Sequence, residues 1–342
     1  MSDALKSLTF LRFFAAFWVV LFHLKNRIEY DSNSWFWSFV DNGARGVDFF
    51  FMLSGFVIFH VYERQIADGK FSFWRFCVKR FARIYPLHLV MLLGYVAFAQ
   101  LGNNSTEGWI PSLLLVHAWS TTDGLVLNGP SWTLSAEAFA YILFALVVVR
   151  PPKTWMLGLA FVASFAAVHA LAINMEKAAF LHLTWDFGVL RILPLFILGM
   201  LLKRISGRVT VLSAAIMGVC GLVTLAIYGS AQTLGYEIII PFALLIVSAA
   251  RLSHLKSLPT NGVLPVYLGE ISYSIYMIHL FVIAVFFDYL PKLGVGEQQW
   301  LIVCAAIIFG SAISYHMVER PARSWINKRV EAILVKKAPA LP

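Results

Sequence analysis

The sequence predicts an all-α fold: a polytopic integral membrane helical bundle of about ten transmembrane helices, with both termini in the cytoplasm. Three observations predict it. Of 342 residues, 60% are hydrophobic and 13% charged, against roughly 25% charged in soluble domains, and the mean hydropathy is +0.76. Apolar segments approaching the ~20 residues needed to cross a bilayer recur at short intervals along the chain. Basic residues gather in alternate connections, as they do on the cytoplasmic side of membrane proteins.

The first span is Leu8 to Leu24. Arg12 interrupts it and no small-residue cleavage pattern follows, so it reads as a retained helix and not a signal peptide. The second runs Val47 to Tyr62, the third Pro86 to Leu101, the fourth Thr133 to Val149 and the fifth Trp155 to Ile173. The sixth is Phe187 to Leu202, the seventh Val209 to Tyr228, the eighth Tyr236 to Ala250, the ninth Val263 to Phe287 and the tenth Gln299 to Val318. Several are short and must borrow flanking residues. The longest outer connection, Gly102 to Trp132, has no Lys or Arg but an apolar stretch from Trp109 to Trp119, which reads as half-buried at the interface.

With the N-terminus inside, the cytoplasmic connections hold Arg64, Lys70, Arg75, Lys79, Arg80, Arg83, Arg150, Lys153, Lys203, Arg204, Arg208, Arg251 and Lys256. Lys6 and the basic residues from Arg320 to Lys337 join them, leaving only Lys25, Arg27, Arg45, Lys177 and Lys292 outside. The formal charge of +9 is thereby a topology signal and not a nucleic-acid footprint. Residues 1–342 read as one membrane-embedded domain, with 330–342 a flexible cytoplasmic tail. Cys77, Cys220 and Cys304 have neither CxxC nor Cys/His spacing, so no disulfide framework and no metal site is expected.

Ionisable groups inside spans are costly and tend to face a polar cavity. Arg12 and His23 share the first span; eleven residues turn through about 1100°, which puts both on one face about 16 Å apart along the axis. His23, Asp48 at the outer start of the second span and Glu137 in the fourth fall at one depth, in the outer half. The ninth span carries Ser272, Tyr273, Tyr276 and His279 at helical spacing, with His279 in the outer half as well. Taken singly, each could be a packing residue or lie at headgroup level. Arg191 in the sixth span has Asp186 as its nearest candidate partner. Between Glu63 and Tyr85 the chain reads as a loop ending KRFARIYP, in which Arg80 and Arg83 would sit on one side of a helical turn, suited to phosphate oxygens. Ordinary cytoplasmic-loop charge or a headgroup contact is the alternative.

These residues resemble acyltransferase family 3 of membrane proteins. Arg12-x10-His23 is similar to the family's first-helix motif, and the run Gly46 to Phe56, containing Asp48 and Ser54, to its second. Arg80-x-x-Arg83-x-x-Pro86, Ser131-Trp132-Thr133-Leu134 with Glu137, Ser272-Tyr273-x-x-Tyr276-x-x-His279 and Glu319-Arg320-Pro321 follow in the family's order. Met52 and Met277 replace other aliphatic residues, which touches no chemistry.

The resemblance implies an O-acetyltransferase of the cell inner membrane that moves an acetyl group from cytoplasmic acetyl-CoA to a sugar hydroxyl of a surface polysaccharide or lipid-linked glycan. The hydrolase-like C-terminal domain of some members is not seen here, which suggests either catalysis by this protein alone or a separate periplasmic partner, and a homo-oligomer is left open. His23, Asp48, Glu137 and Arg12 are the expected catalytic residues; Arg80, Arg83, Arg12 and Ser54 hold the donor; Trp132, Tyr276 and His279 meet the acceptor. His23 is either the general base, oriented by Asp48 or Glu137, or itself the carrier of the acyl group. A proton-coupled secondary transporter could use the same charges. Against it, the halves show no repeat and the paired arginines lie in a loop.

Overall fold

The computed structural model describes residues 6–28, 34–102, 105–231, 235–255, 258–290 and 299–337. Lys256 and Lys292, both assigned to connections above, lie outside them. Within the described residues every regular element is helical. In order these are α1 (Lys6–Lys25), α2 (Trp35–Asp41), α3 (Gly46–Ala67), α4 (Phe73–Leu101), α5 (Trp109–Leu113), α6 (Trp132–Val147), α7 (Thr154–Asn174) and α8 (Gly188–Ser206). They continue with α9 (Val211–Gly229), α10 (Ile239–Leu252), α11 (Val263–Glu270), α12 (Ser272–Ala284), α13 (Gln299–Ser314) and α14 (Arg320–Lys337). The end of the bundle where α1 starts is called the near end below, and the opposite one the far end.

Among the described residues, seven helical stretches are long and apolar enough to cross a membrane, and the pair α11 and α12, bent by 59°, makes an eighth if it is one span. The expected count of ten also took in α8 and α10. Helix α8 carries Arg191, Lys203 and Arg204, and α10 has 14 residues, so neither qualifies by length and composition. Helix α10 packs mainly on α9, and α8 is wrapped by α3, α6, α7 and α10. Its closest neighbour is α3. A Cβ on Gly55 would fall 1.9 Å from the Phe196 carbonyl oxygen and one on Gly199 the same distance from that of Met52. Hydrogen at both positions lets the two backbones touch, as small residues do between membrane helices. Glu63 closes the near end of this pair on Lys203 and Arg204.

Three boundaries differ from the sequence reading. The stretch before Pro86 is not a loop: Ser72 caps α4 by accepting from the Arg75 amide at 3.4 Å, and the helix runs through Pro86 to Leu101. Arg80 and Arg83 therefore stand on a rigid helix. The ninth span is broken at Ile271, so the Ser-Tyr-Tyr-His residues all belong to α12. A π turn, Tyr315–Glu319, links α13 to α14, and the segment expected as a tail from residue 330 is helical as far as Lys337. Helix α14 lies along the start of α4, with Arg75 donating to Glu331 at 2.5 Å.

Candidate active site

Helix α1 is the axis of the site. With α3, α6 and α12 it lines a row of three cavities, to which α4 adds walls at the near end and α8 at the far end.

The near cavity, about 550 Å³, is lined by Arg12, Ser54, Arg80, Arg83, Glu137, Tyr141 and Tyr273 among others. Arg83 is salt-bridged to Glu319, a 1% exposed carboxylate in the π turn whose second oxygen accepts from Ser274 at 3.1 Å. Arg80 has no carboxylate: its guanidinium lies over the rings of Tyr62 (5.8 Å) and Phe76 (6.0 Å), and its Nε is buried without a hydrogen-bond partner among the described residues. An orphaned donor is expensive in a dry interior, so Arg80 fits an incoming phosphate better than a packing role.

The middle cavity, about 430 Å³, shares Arg12, Phe50, Glu137 and Tyr273 with the near one and adds Val47, Phe51, Thr133, Leu134 and Tyr276. Glu137 accepts from the Ser54 hydroxyl at 2.7 Å and neighbours Tyr141, one helical turn on, and Arg12. Arg12 makes no hydrogen bond or ion pair with the described residues and opens into both cavities. Thr133 donates to the Tyr276 hydroxyl at 3.1 Å, and Tyr276 donates to the Pro130 carbonyl at 2.9 Å.

The far vestibule, about 1400 Å³ including its open mouth, shares Val47 and Tyr276 with the middle cavity. His23, Arg45, Trp132, His182, Arg191 and Leu280 line it. His23 Nδ1 lies 3.0 Å from the Val19 carbonyl and 3.1 Å from His279 Nε2; His279 Nδ1 lies 2.7 Å from the Tyr276 carbonyl. Carbonyl oxygens only accept, which assigns the protons. His279 donates from Nδ1 and accepts at Nε2, while His23 donates from Nδ1. The lone pair of His23 is thereby at Nε2, on the edge left to the vestibule.

The expected pairing of His23 with Asp48 or Glu137 is not what the fold makes. Asp48, fully buried, takes two hydrogen bonds of 2.8 Å from Arg191, and Glu137 is engaged with Ser54. Nor does Arg191 pair with Asp186, which holds Lys177 at 2.8 Å. Arg191 is three residues into α8, where α3 begins beside it, and bidentate geometry to a fully buried acid outcompetes a loop partner. Its guanidinium also covers the Trp132 ring at 5.2 Å. Thus Arg12, Ser54, Arg80, Arg83 and Glu137 gather in the near and middle cavities, and His23, Trp132 and Tyr276 around the vestibule. His279, 0% exposed, stands behind His23 and off the cavity wall. Sequence reasoning assigned nothing to Tyr141, Glu319 or Arg45. The i+4 spacing from Glu137 would have raised Tyr141, and Glu319 stood in a quoted motif without a role.

The outer connection folds into the bundle. Tyr85 donates to the Leu113 carbonyl at 3.1 Å and His88 Nε2 to that of Ser112 at 2.9 Å, while Trp109, Ile110 and Leu114 stay exposed. Burial, with His88 as a lesser cause, pushes His117 down to about 4. Among the described residues no group of three or more His, Cys, Asp or Glu side chains could hold a metal ion.

Residues 5–318 match the family model described as "Acyltransferase domain". The acyltransferase MdmB of Streptomyces mycarofaciens is 30% identical over 95% of this chain and 93% of its own. The exopolysaccharide production protein ExoZ of Rhizobium meliloti is 30% identical over 86% of this chain and 95% of its own. No solved structure matches.

Proposed function

This chain belongs to acyltransferase family 3, a multi-pass membrane enzyme family, and from that premise we propose that it moves an acetyl group from acetyl-CoA, entering at the near end, to a sugar hydroxyl presented at the far end. The single observation that carries this reading is the continuous row of cavities: cations at one end, the free imidazole edge of His23 at the other, and shared walls between. A charged donor and a polar acceptor can then meet without either crossing lipid.

In this reading the near end is cytoplasmic, the chain crosses the inner membrane ten times, and α8 and α10 cross inside a protein sheath. Helix α14 packs on the start of α4, and Arg80 and Arg83 of α4 share the near cavity with Arg12 of α1, which supports an even number of crossings. Arg80 and Arg83 hold the donor phosphates, Ser54 lines their cavity, and Arg12, about 16 Å from His23 along α1, holds the arm that reaches the thioester. Glu137, on the shared wall, lies within electrostatic reach of Arg12 and Arg83 and keeps the passage polar. Trp132 and Tyr276 flank the acceptor sugar.

His23 takes the proton of the sugar hydroxyl at Nε2 while the oxygen attacks the thioester carbonyl. The C–S bond then breaks and the departing thiolate receives that proton, so an ester and free CoA thiol result. His279 fixes the His23 tautomer from behind, the duty an acidic group performs in many such sites. The name of the exopolysaccharide production relative supports a polysaccharide acceptor.

The test is to incubate purified protein with acetyl-CoA and a polysaccharide repeat unit. Equal yields of CoA thiol and acetylated glycan by mass spectrometry are expected. An intact thioester after prolonged incubation with varied glycans would instead favour the transporter.

A further inference from the structure

Among the described residues, the cations around the far end are matched with acids, with one exception. Lys25 is bridged to Asp41, Arg27 to Asp288 at 2.6 Å, Lys177 to Asp186 at 2.8 Å and Arg191 to Asp48 at 2.8 Å. Arg45, 9% exposed, has no carboxylate within ion-pair distance among the described residues. It donates from Nη1 to the Leu181 carbonyl at 2.6 Å and from Nη2 to His182 Nε2 at 2.9 Å. Two of its five N–H groups are thus used on neutral acceptors.

Asp48 is within electrostatic reach of Arg45 but already bound by Arg191. Two guanidiniums therefore share one carboxylate. Asp41, the remaining acid on the vestibule wall, is taken by Lys25, and Glu107, Asp123, Glu176 and Glu237 do not line it. One positive charge is left uncompensated in a cavity walled by Phe22, Val47, Leu125, Leu181 and Leu280. His182 registers that field: burial first, then Arg45 and Arg191, hold its imidazole below the usual range. A buried cation without a counter-ion is costly to keep unless a ligand supplies the anion. The turn that carries Arg45 packs on α1, since a Cβ on Gly43 would fall 2.3 Å from the Trp18 carbonyl, and Arg45 and His23 line the same vestibule.

We propose that the far vestibule selects an acceptor sugar bearing an oxyanion, a carboxylate or a phosphate, which Arg45 binds while a hydroxyl of the same molecule faces His23. The word acceptor rests on the acetyl transfer set out above; the anion preference rests on charge balance alone. Arg45 is here a binding residue for specificity, remote from the donor cations Arg80 and Arg83.

The test titrates purified full-length protein in detergent with methyl glucuronide, a glucose phosphate and methyl glucoside, followed by calorimetry. At low salt at least one anionic sugar should bind about tenfold more tightly than the glucoside, the worth of one charge-assisted hydrogen bond. The preference should fade at about 0.5 M sodium chloride, vanish in Arg45→Gln and persist in part in Arg45→Lys. Which anionic sugar wins tells carboxylate from phosphate. Equal binding of all three sugars overturns the proposal, as does a monodisperse Arg45→Gln protein that keeps the preference. Should that variant fail to fold, the wild-type salt series and Arg45→Lys decide. Acetyl-CoA cleavage by the wild type is measured alongside, so its failure counts against the transfer reading and leaves the anion result standing.

Discussion

His23 and His279 are joined ring to ring, the Nδ1 proton of the first shared between the Val19 carbonyl at 3.0 Å and Nε2 of the second at 3.1 Å, and the His23 ring lines the vestibule. A neutral imidazole orients another neutral imidazole. The base is held in one tautomer without an acid beside it, which would raise its basicity but also invite a buried charge.

His23→Ala should lower transfer by about a hundred- to ten-thousandfold, the usual worth of a positioned general base. Membrane insertion and elution in detergent should be unchanged, because His23 is half-buried on a cavity wall. Assaying acetylated product per folded protein checks it; near-normal turnover would remove His23 from the chemistry.

His279→Ala should reduce kcat on the order of tenfold or more while the donor KM stays put, since the ring touches no cavity wall. His279→Gln, whose side-chain oxygen can accept from His23 Nδ1, should recover part of the loss. A uniform fall in both parameters without rescue would mean packing alone.

Removing Asp48 tests a different bond. Asp48→Ala strands the 3% exposed Arg191, and breaking a buried pair costs roughly 3–5 kcal/mol. The melting temperature in detergent should drop sharply, with much of it returning when Arg191 is also made Met. A stable but inactive Asp48→Ala protein would instead restore the acid to a catalytic role.

Arg80 and Arg83 should separate. Arg80→Ala removes an unpaired cation and should raise the acetyl-CoA KM by about tenfold at little cost in stability. Arg83→Ala uncovers Glu319 and should destabilise the protein as well, an effect that Glu319→Gln relieves. Steady-state kinetics and thermal unfolding of Arg80→Ala, Arg83→Ala and the Arg83→Ala/Glu319→Gln double variant decide; equal behaviour of the two arginines would contradict the assignment.

Much of this was legible from spacing. The eleven-residue interval between Arg12 and His23 put both on one stripe, and both indeed open onto the cavity row. Arg80 and Arg83 share the near cavity as three-residue spacing implies. The partners were not legible. Arg191 finds Asp48 across 143 positions and Arg83 finds Glu319 across 236. Hydropathy counted α8 as a span like the others, although its three cations are tolerable because protein surrounds it.

The sequence by itself determined the all-helical membrane architecture, the family and the face of α1 that lines the cavities, because helix formation and lipid exclusion act on local composition and period. Only the tertiary structure decided that His23 leans on His279, that Asp48 is spent on Arg191 and that Arg45 is left unbalanced. Those outcomes depend on which charged groups meet once helices pack. In a low-dielectric interior each ion takes the partner that geometry brings within reach, and sequence distance carries no information about that reach.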